Sequence, residues 1–280
     1  MIESAQWLWC TRRTALARRA RTTATLGATL LATLTATLLS GTPAARAAEL
    51  HVAVAANFLG TLQKLAGPYQ AASGNTLSIS AGSSGQLLAQ IRQGAPFDLF
   101  FSADAERPRQ LESQGLGLPG SEFTYALGSL VLWSPRPGVI DRRAGVLRAG
   151  RFQRLALAAP GSAPYGAAAQ QVLRALGLWD RFNQEHKIVI GESITQAWQF
   201  AASGNATLAF VALSQVIDAQ GHISGSSWLP PQSLYAPLTQ DALILKRTRE
   251  TAAAENFEQW LKRAPQATRI LLAAGYRTAP

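Results

Sequence analysis

Cysteine is almost absent from this sequence: Cys10 is the single one in 280 residues. A chain with one thiol forms no internal disulfide and no cysteine-based metal site, so its fold must be held by an apolar core alone. Histidine is nearly as scarce. His51, His186 and His222 stand far apart, with no HExxH pair and no His/carboxylate spacing, which argues against a metalloenzyme. No GxSxG elbow occurs, and the run Gly82-Ser83-Ser84-Gly85 lacks the lysine that a P-loop needs after its glycines. No two carboxylates read as an acid/base couple. These absences favour a binding protein; an exported enzyme on the same scaffold would need an acid, base or nucleophile that the loops do not offer.

A long apolar run is missing too. The Thr-diluted stretch Ala24 to Leu39 has 16 residues, short of the roughly 20 that a membrane span needs. It follows a basic region, Arg12, Arg13, Arg18, Arg19 and Arg21, and precedes Gly41, Pro43 and the small-residue site Ala45-Arg46-Ala47. That order reads as a secretory signal peptide over residues 1–47, so the expected location is the periplasm. Cys10 would leave with it, and no lipid-attachment Cys follows the apolar run. Six Arg and one Glu precede residue 48, so the net charge of +10 falls to about +5 on 20 basic and 15 acidic residues. Apart from Arg142-Arg143 and Lys246-Arg247-Thr248-Arg249 the basic residues are scattered, with no stripe for nucleic acid. About 230 residues remain, enough to bury a core.

What is present is a strand and helix alternation. Strands are expected at Leu50 to Ala55, Thr76 to Ser80 and Asp98 to Ser102, with helices at Asn57 to Ala72 and Ser84 to Gln93 between them. This is the signature of a parallel sheet covered by helices. One long strand, Tyr125 to Ser134, is expected to leave the first lobe. A second series follows: strands Leu155 to Ala158, Lys187 to Ile190 and Thr207 to Ala212, with helices Gly166 to Leu176 and Thr195 to Ser203. Strand Tyr235 to Leu245 and helices Thr251 to Lys262 and Ala264 to Ala274 return to the first lobe. The expected architecture is therefore α/β, two lobes each built on a mainly parallel sheet flanked by helices, with two hinge crossings. Residues 48–128 and 238–280 form lobe 1, and residues 129–237 form lobe 2.

Four segments put small or hydroxyl residues where a strand ends and a helix begins: Ala55-Ala56-Asn57, Gly82-Ser83-Ser84-Gly85, Ala163-Pro164-Tyr165-Gly166 and Glu192-Ser193-Ile194-Thr195. Each helix start carries unpartnered N–H groups and about half a positive charge. Any one of them alone is more often an ordinary N-cap than a ligand site. Four in one two-lobed α/β chain point to an anion, because ligands of open α/β sheets bind beyond the carboxyl ends of the strands.

The run Ile91 to Asp104, IRQGAPFDLFFSAD, with Val52 to Phe58 and GSSG before it, resembles the periplasmic molybdate-binding proteins of ABC importers. Leu127 to Pro135 and Ala159 to Asp180 extend the resemblance over the rest of the chain. It implies a type II periplasmic binding protein that captures molybdate, and tungstate with it, without catalysis or a cofactor. Molybdenum would be held only as the oxyanion, through Asn57, Ser84, Tyr165 and Ile194, with Ala56 and Ser83 beside them. The expected donors are the four backbone N–H groups, the Ser84 and Tyr165 hydroxyls and the Asn57 amide. Some members carry a Tyr where this chain has Ala212, and Tyr165 is expected to stand in for it. The implied partner is the inner-membrane permease of a molybdate importer, with the protein itself a monomer. Another oxyanion, sulfate-like, or a small organic acid is the alternative ligand.

Overall fold

The structure is a computed structural model that describes residues 47–278. All but the last residue of the expected signal peptide therefore lies outside the described residues. Two five-stranded sheets organise the chain. The first has the order β2-β1-β3-β10-β4, built from β1 (Glu49–Ala55), β2 (Thr76–Gly82), β3 (Leu99–Phe101), β4 (Phe123–Gly128) and β10 (Leu238–Ile244). Its first three strands run parallel, and β10 lies antiparallel between β3 and β4. The second has the order β7-β6-β8-β5-β9, from β5 (Leu130–Ser134), β6 (Leu155–Ala158), β7 (Ile188–Gly191), β8 (Leu208–Ala212) and β9 (Ser226–Trp228). Here β6, β7 and β8 are parallel, and β5 runs antiparallel between β8 and β9.

Helices cover both sheets. In the first lobe these are α1 (Leu59–Ser73), α2 (Ser84–Arg92), α3 (Glu106–Ser113), α8 (Thr251–Arg263) and α9 (Pro265–Ala273). In the second they are α4 (Gly145–Ala149), α5 (Pro164–Ala175), α6 (Trp179–Gln184) and α7 (Ile194–Ala202). The buried runs Val52 to Ala55, Leu99 to Phe101 and Leu208 to Ala212 explain why central strands form there. An apolar stretch covered on both faces needs no polar alternation. Phe58, Phe101, Tyr125, Phe257 and Tyr276 belong to one buried core cluster beneath the first sheet, with the Phe58 and Tyr125 rings 4.5 Å apart.

Three expectations are corrected. The single strand over 125–134 is two: β4 pairs with β10 in one sheet and β5 with β8 in the other, and the chain passes between them at Ser129. Apolar residues on both sides of Gly128-Ser129 hide the change, because each half is buried in its own core. The first helix begins at Leu59, since Ala56 to Phe58 form a turn in which Phe58 N–H bonds back to Ala55 C=O at 2.8 Å. Helix α3 was not foreseen: in ERPRQLES only Pro108 and Leu111 are buried, too few to show a helical period.

Candidate ligand-binding site

Five strand-to-helix turns meet in one place. Ala55 ends β1 with Ala56 and Asn57 after it, Ser83 and Ser84 follow β2, and Ala103 follows β3. From the second lobe come Ala163, Pro164 and Tyr165 at the start of α5 and Ile194 at the start of α7. Together they line a small cavity of about 10 Å³. All six residues singled out from the sequence lie on this wall: Asn57, Ser83, Ser84, Tyr165 and Ile194 are buried, and Ala56 is half-buried. Among the described residues no Asp, Glu, Lys, Arg or His faces the cavity.

The hydrogen-bond accounts of these turns differ residue by residue. Ala56 N–H is taken by Gly82 C=O at 2.9 Å, so it is spent. Backbone N–H groups of Asn57, Ser84, Tyr165 and Ile194 have no acceptor among the described residues. Buried N–H groups are seldom left so. Ser83, not Ser84, caps α2: its hydroxyl accepts Gln86 N–H, and Gln86 Oε1 accepts Ser83 N–H in return, a capping box. Released from capping, Ser84 Oγ accepts the N–H of Ala103 at 3.0 Å. Each serine oxygen thus accepts a backbone N–H and keeps its own proton to donate.

The segment Asp98 to Asp104 makes that contact possible. Asp98 accepts the N–H of His51 on β1 at 2.8 Å and the Thr248 hydroxyl at 2.6 Å, which pins the start of β3. Asp104 accepts Arg107 N–H and the Ser102 hydroxyl and pairs with the Arg107 guanidinium, turning the chain after β3. Ala103 is thereby held against Ser84.

Two expected donors are hydrogen-bonded to Gln240. The Asn57 amide nitrogen donates to Gln240 Oε1 at 2.8 Å and to the Tyr276 hydroxyl at 3.1 Å. Both of its hydrogens are used. The Tyr165 hydroxyl accepts from Gln240 Nε2 at 3.0 Å, and Gln240 does not line the cavity. The Tyr165 hydroxyl thus joins a polar network with Gln240 and keeps its own proton. Sequence reading missed Gln240 because a single Gln in the strand LTQDALI carries no signal beyond strand alternation. Burial keeps the phenols neutral: Tyr125 and Tyr165 are raised well above 10, and Tyr276 is pushed up to about 12.

The lobes touch directly around the cavity. Gly85 N–H donates to Ser162 C=O at 2.9 Å, the Ser214 hydroxyl to Asn57 C=O at 2.9 Å, and Arg107 Nη2 to Gly161 C=O at 3.4 Å. A closed cleft lined by N–H and O–H donors, with no cation and no carboxylate, is matched to a small anion that has acceptors on every side and no proton of its own.

Two sheet-based lobes closing on such a cleft define a solute-binding protein of the two-lobed class. The chain belongs to the bacterial extracellular solute-binding protein family, whose model matches residues 50–277. It is 47% identical over 234 residues to the molybdate-binding protein ModA of Rhodobacter capsulatus, covering 84% of this chain and 90% of that protein. It is 46% identical over 233 residues to ModA of Azotobacter vinelandii, covering 83% and 91%. Among solved structures it resembles the Azotobacter vinelandii periplasmic molybdate-binding protein, with TM-score 0.81 and 48% identity over 82% of this chain and all of that one.

Proposed function

We propose that this protein binds molybdate, and tungstate with it, in the periplasm and presents the oxyanion to the inner-membrane permease of an ABC importer. The observation that carries the reading is the meeting of four unpaired backbone N–H groups, those of Asn57, Ser84, Tyr165 and Ile194, at one cavity whose lining has no carboxylate. The two relatives named ModA, each nearly half identical, support it.

The magnitudes agree. Four N–H groups and the Ser83 and Ser84 hydroxyls make about six donors to a dianion, each worth roughly 1.5–3 kcal/mol, or about 9–18 kcal/mol before desolvation and closure. Nanomolar binding needs about 12 kcal/mol, so helix ends and neutral donors suffice without a Lys or Arg. A pocket without a carboxylate to accept it also penalises the O–H of a protonated oxyanion such as hydrogen phosphate, by roughly 1–3 kcal/mol where that O–H finds no partner. Sulfate carries no such proton at neutral pH, and against it the discrimination rests on size. The protein acts as a monomer, without a cofactor, without catalysis and without nucleic acid.

Titration calorimetry with molybdate, tungstate, sulfate and phosphate tests the reading. Tight binding of molybdate and tungstate with weak or no binding of the other two is expected. Preference for sulfate overturns it.

A further inference from the structure

We propose that Gln240 is a positioning residue for the cleft, one buried amide that holds site residues of both lobes at once. The inference rests on the ligand-binding reading above and adds to it a residue outside the cavity wall.

Gln240 is fully buried on β10, at the point where its pairing with β4 shifts register between Gln240 and Asp241. A bulge of this kind re-aims a side chain. Its Oε1 accepts from the Asn57 amide at 2.8 Å and lies 2.9 Å from the Tyr125 hydroxyl, both in the first lobe. Its Nε2 donates to the hydroxyl of Tyr165, which belongs to α5 of the second lobe. Asn57 is gripped further at its carbonyl, within 2.9 Å of both the Tyr276 and Ser214 hydroxyls. With carboxamide and carbonyl fixed, the residue keeps only its N–H for the cavity.

The space for this bridge is built in. Gly128, on β4 beside β10, has no side chain, and a Cβ there would lie 2.2 Å from the Tyr165 hydroxyl and 2.3 Å from Gln240 Nε2. Any larger residue would occupy the point where the two lobes are joined. The chemistry of the residue is equally constrained. The first lobe presents donors and the second a phenol oxygen, so the bridging group needs an acceptor at one end and a donor at the other. A neutral primary amide has both. A carboxylate would offer acceptors only and would set a buried charge near the anion.

Gln240 therefore ties the placement of the Asn57 N–H to that of the Tyr165 N–H, so that both face one ligand in the closed cleft. Its contribution is expected in the lifetime of the bound state.

The test compares wild type with Gln240→Met, which keeps the volume and loses both ends of the bridge, with Tyr165→Phe, which loses only the second-lobe end, and with the double variant. Stopped-flow tryptophan fluorescence with molybdate is expected to show dissociation about tenfold faster in each single variant. The double variant should be no faster than the worse single one, because both cut the same link. A residue that merely fills the core would lower the melting temperature and leave dissociation within twofold of wild type, and that result overturns the inference. Fully additive effects of the two substitutions also overturn it.

A second measurement needs no ligand. Spin labels on Ser113→Cys and Gln184→Cys, exposed positions of the two lobes, report the interlobe distance by pulsed electron resonance. Gln240→Met should shift the unliganded population toward longer distances, and an unchanged distribution counts against the inference. If wild type binds neither molybdate nor tungstate, the ligand reading fails, and these distances still decide the role of Gln240.

Discussion

Replacing Gly85 by alanine should weaken ligand binding while leaving the unliganded protein as stable as before. Gly85 is the second residue of α2, and its N–H reaches across the cleft to Ser162 C=O at 2.9 Å. A Cβ built there would stand 3.0 Å from both Cα and the carbonyl oxygen of Ser162 and 3.1 Å from its Cβ. These are backbone atoms and the first side-chain atom, which cannot swing away. Closing the cleft on alanine therefore needs a shift of a few tenths of an ångström between the lobes. Overpacking of this order costs about 1–3 kcal/mol, and the strained interlobe hydrogen bond adds to it. At 1.4 kcal/mol per factor of ten, the dissociation constant should rise roughly 5- to 150-fold. With the lobes apart the penalty is absent, and alanine is the better helix residue by up to about 1 kcal/mol. Calorimetric titration and thermal unfolding of the same sample separate the two states. A melting temperature that holds or rises, together with weaker binding, is expected; unchanged affinity would refute the claim that closure brings Gly85 against Ser162.

Ser84→Ala removes one hydroxyl donor and leaves Ala103 N–H without its acceptor, so binding should weaken roughly 10- to 150-fold in a direct titration, for about 1.5–3 kcal/mol. Alkaline stability follows from the buried phenols. The unfolded chain releases tyrosine protons near pH 10, whereas the folded protein keeps those of Tyr125, Tyr165 and Tyr276, the last to about 12. Above pH 10 the folded state binds more protons than the unfolded one, so stability is full below about pH 10 and falls toward pH 12. Urea midpoints should show this fall, and Tyr276→Phe should remove a share on the order of 2–3 kcal/mol; a midpoint flat through this range sinks the argument.

How far the sequence disclosed this molecule depends on the range over which each feature is encoded. Turns rich in Ala, Ser, Asn and Pro before apolar helical periods are local signals, and they placed Asn57, Ser84, Tyr165 and Ile194 on one cavity wall. The two-sheet architecture followed from the alternation of elements. What stayed hidden is long-range. No local pattern tells that the Asn57 amide meets Gln240, 183 positions away, or that Ser83 takes the cap and so leaves Ser84 to hold Ala103. The division of one apolar stretch into β4 and β5 is hidden for the same reason: it is decided by which strands stand opposite, not by the residues of the stretch.

On the proposed reading, the division of donors between lobes would govern how the cleft handles its ligand. Asn57 N–H, Ser84 N–H and the two serine hydroxyls come from the first lobe, whereas the second offers the N–H groups of Tyr165 and Ile194. An opened cleft would keep the first group and lose the second, about 3–6 kcal/mol or a factor of 10² to 10⁴ in affinity. A partner that held the lobes apart would thus release the anion without touching it. Ile194→Pro tests this division. Ile194 is the first residue of α7, the helical position that accepts proline best, and Ser193 before it is already extended, as a residue preceding proline prefers. Helix and cap should survive while the N–H is lost. Half of the second lobe's grip goes with it, and the ring carbon that replaces the hydrogen crowds the anion. Binding should weaken at least tenfold in a titration, with dissociation faster and the melting temperature of the unliganded protein within a few degrees of wild type. A variant that binds as tightly as wild type would mean that the second lobe closes over the anion without holding it.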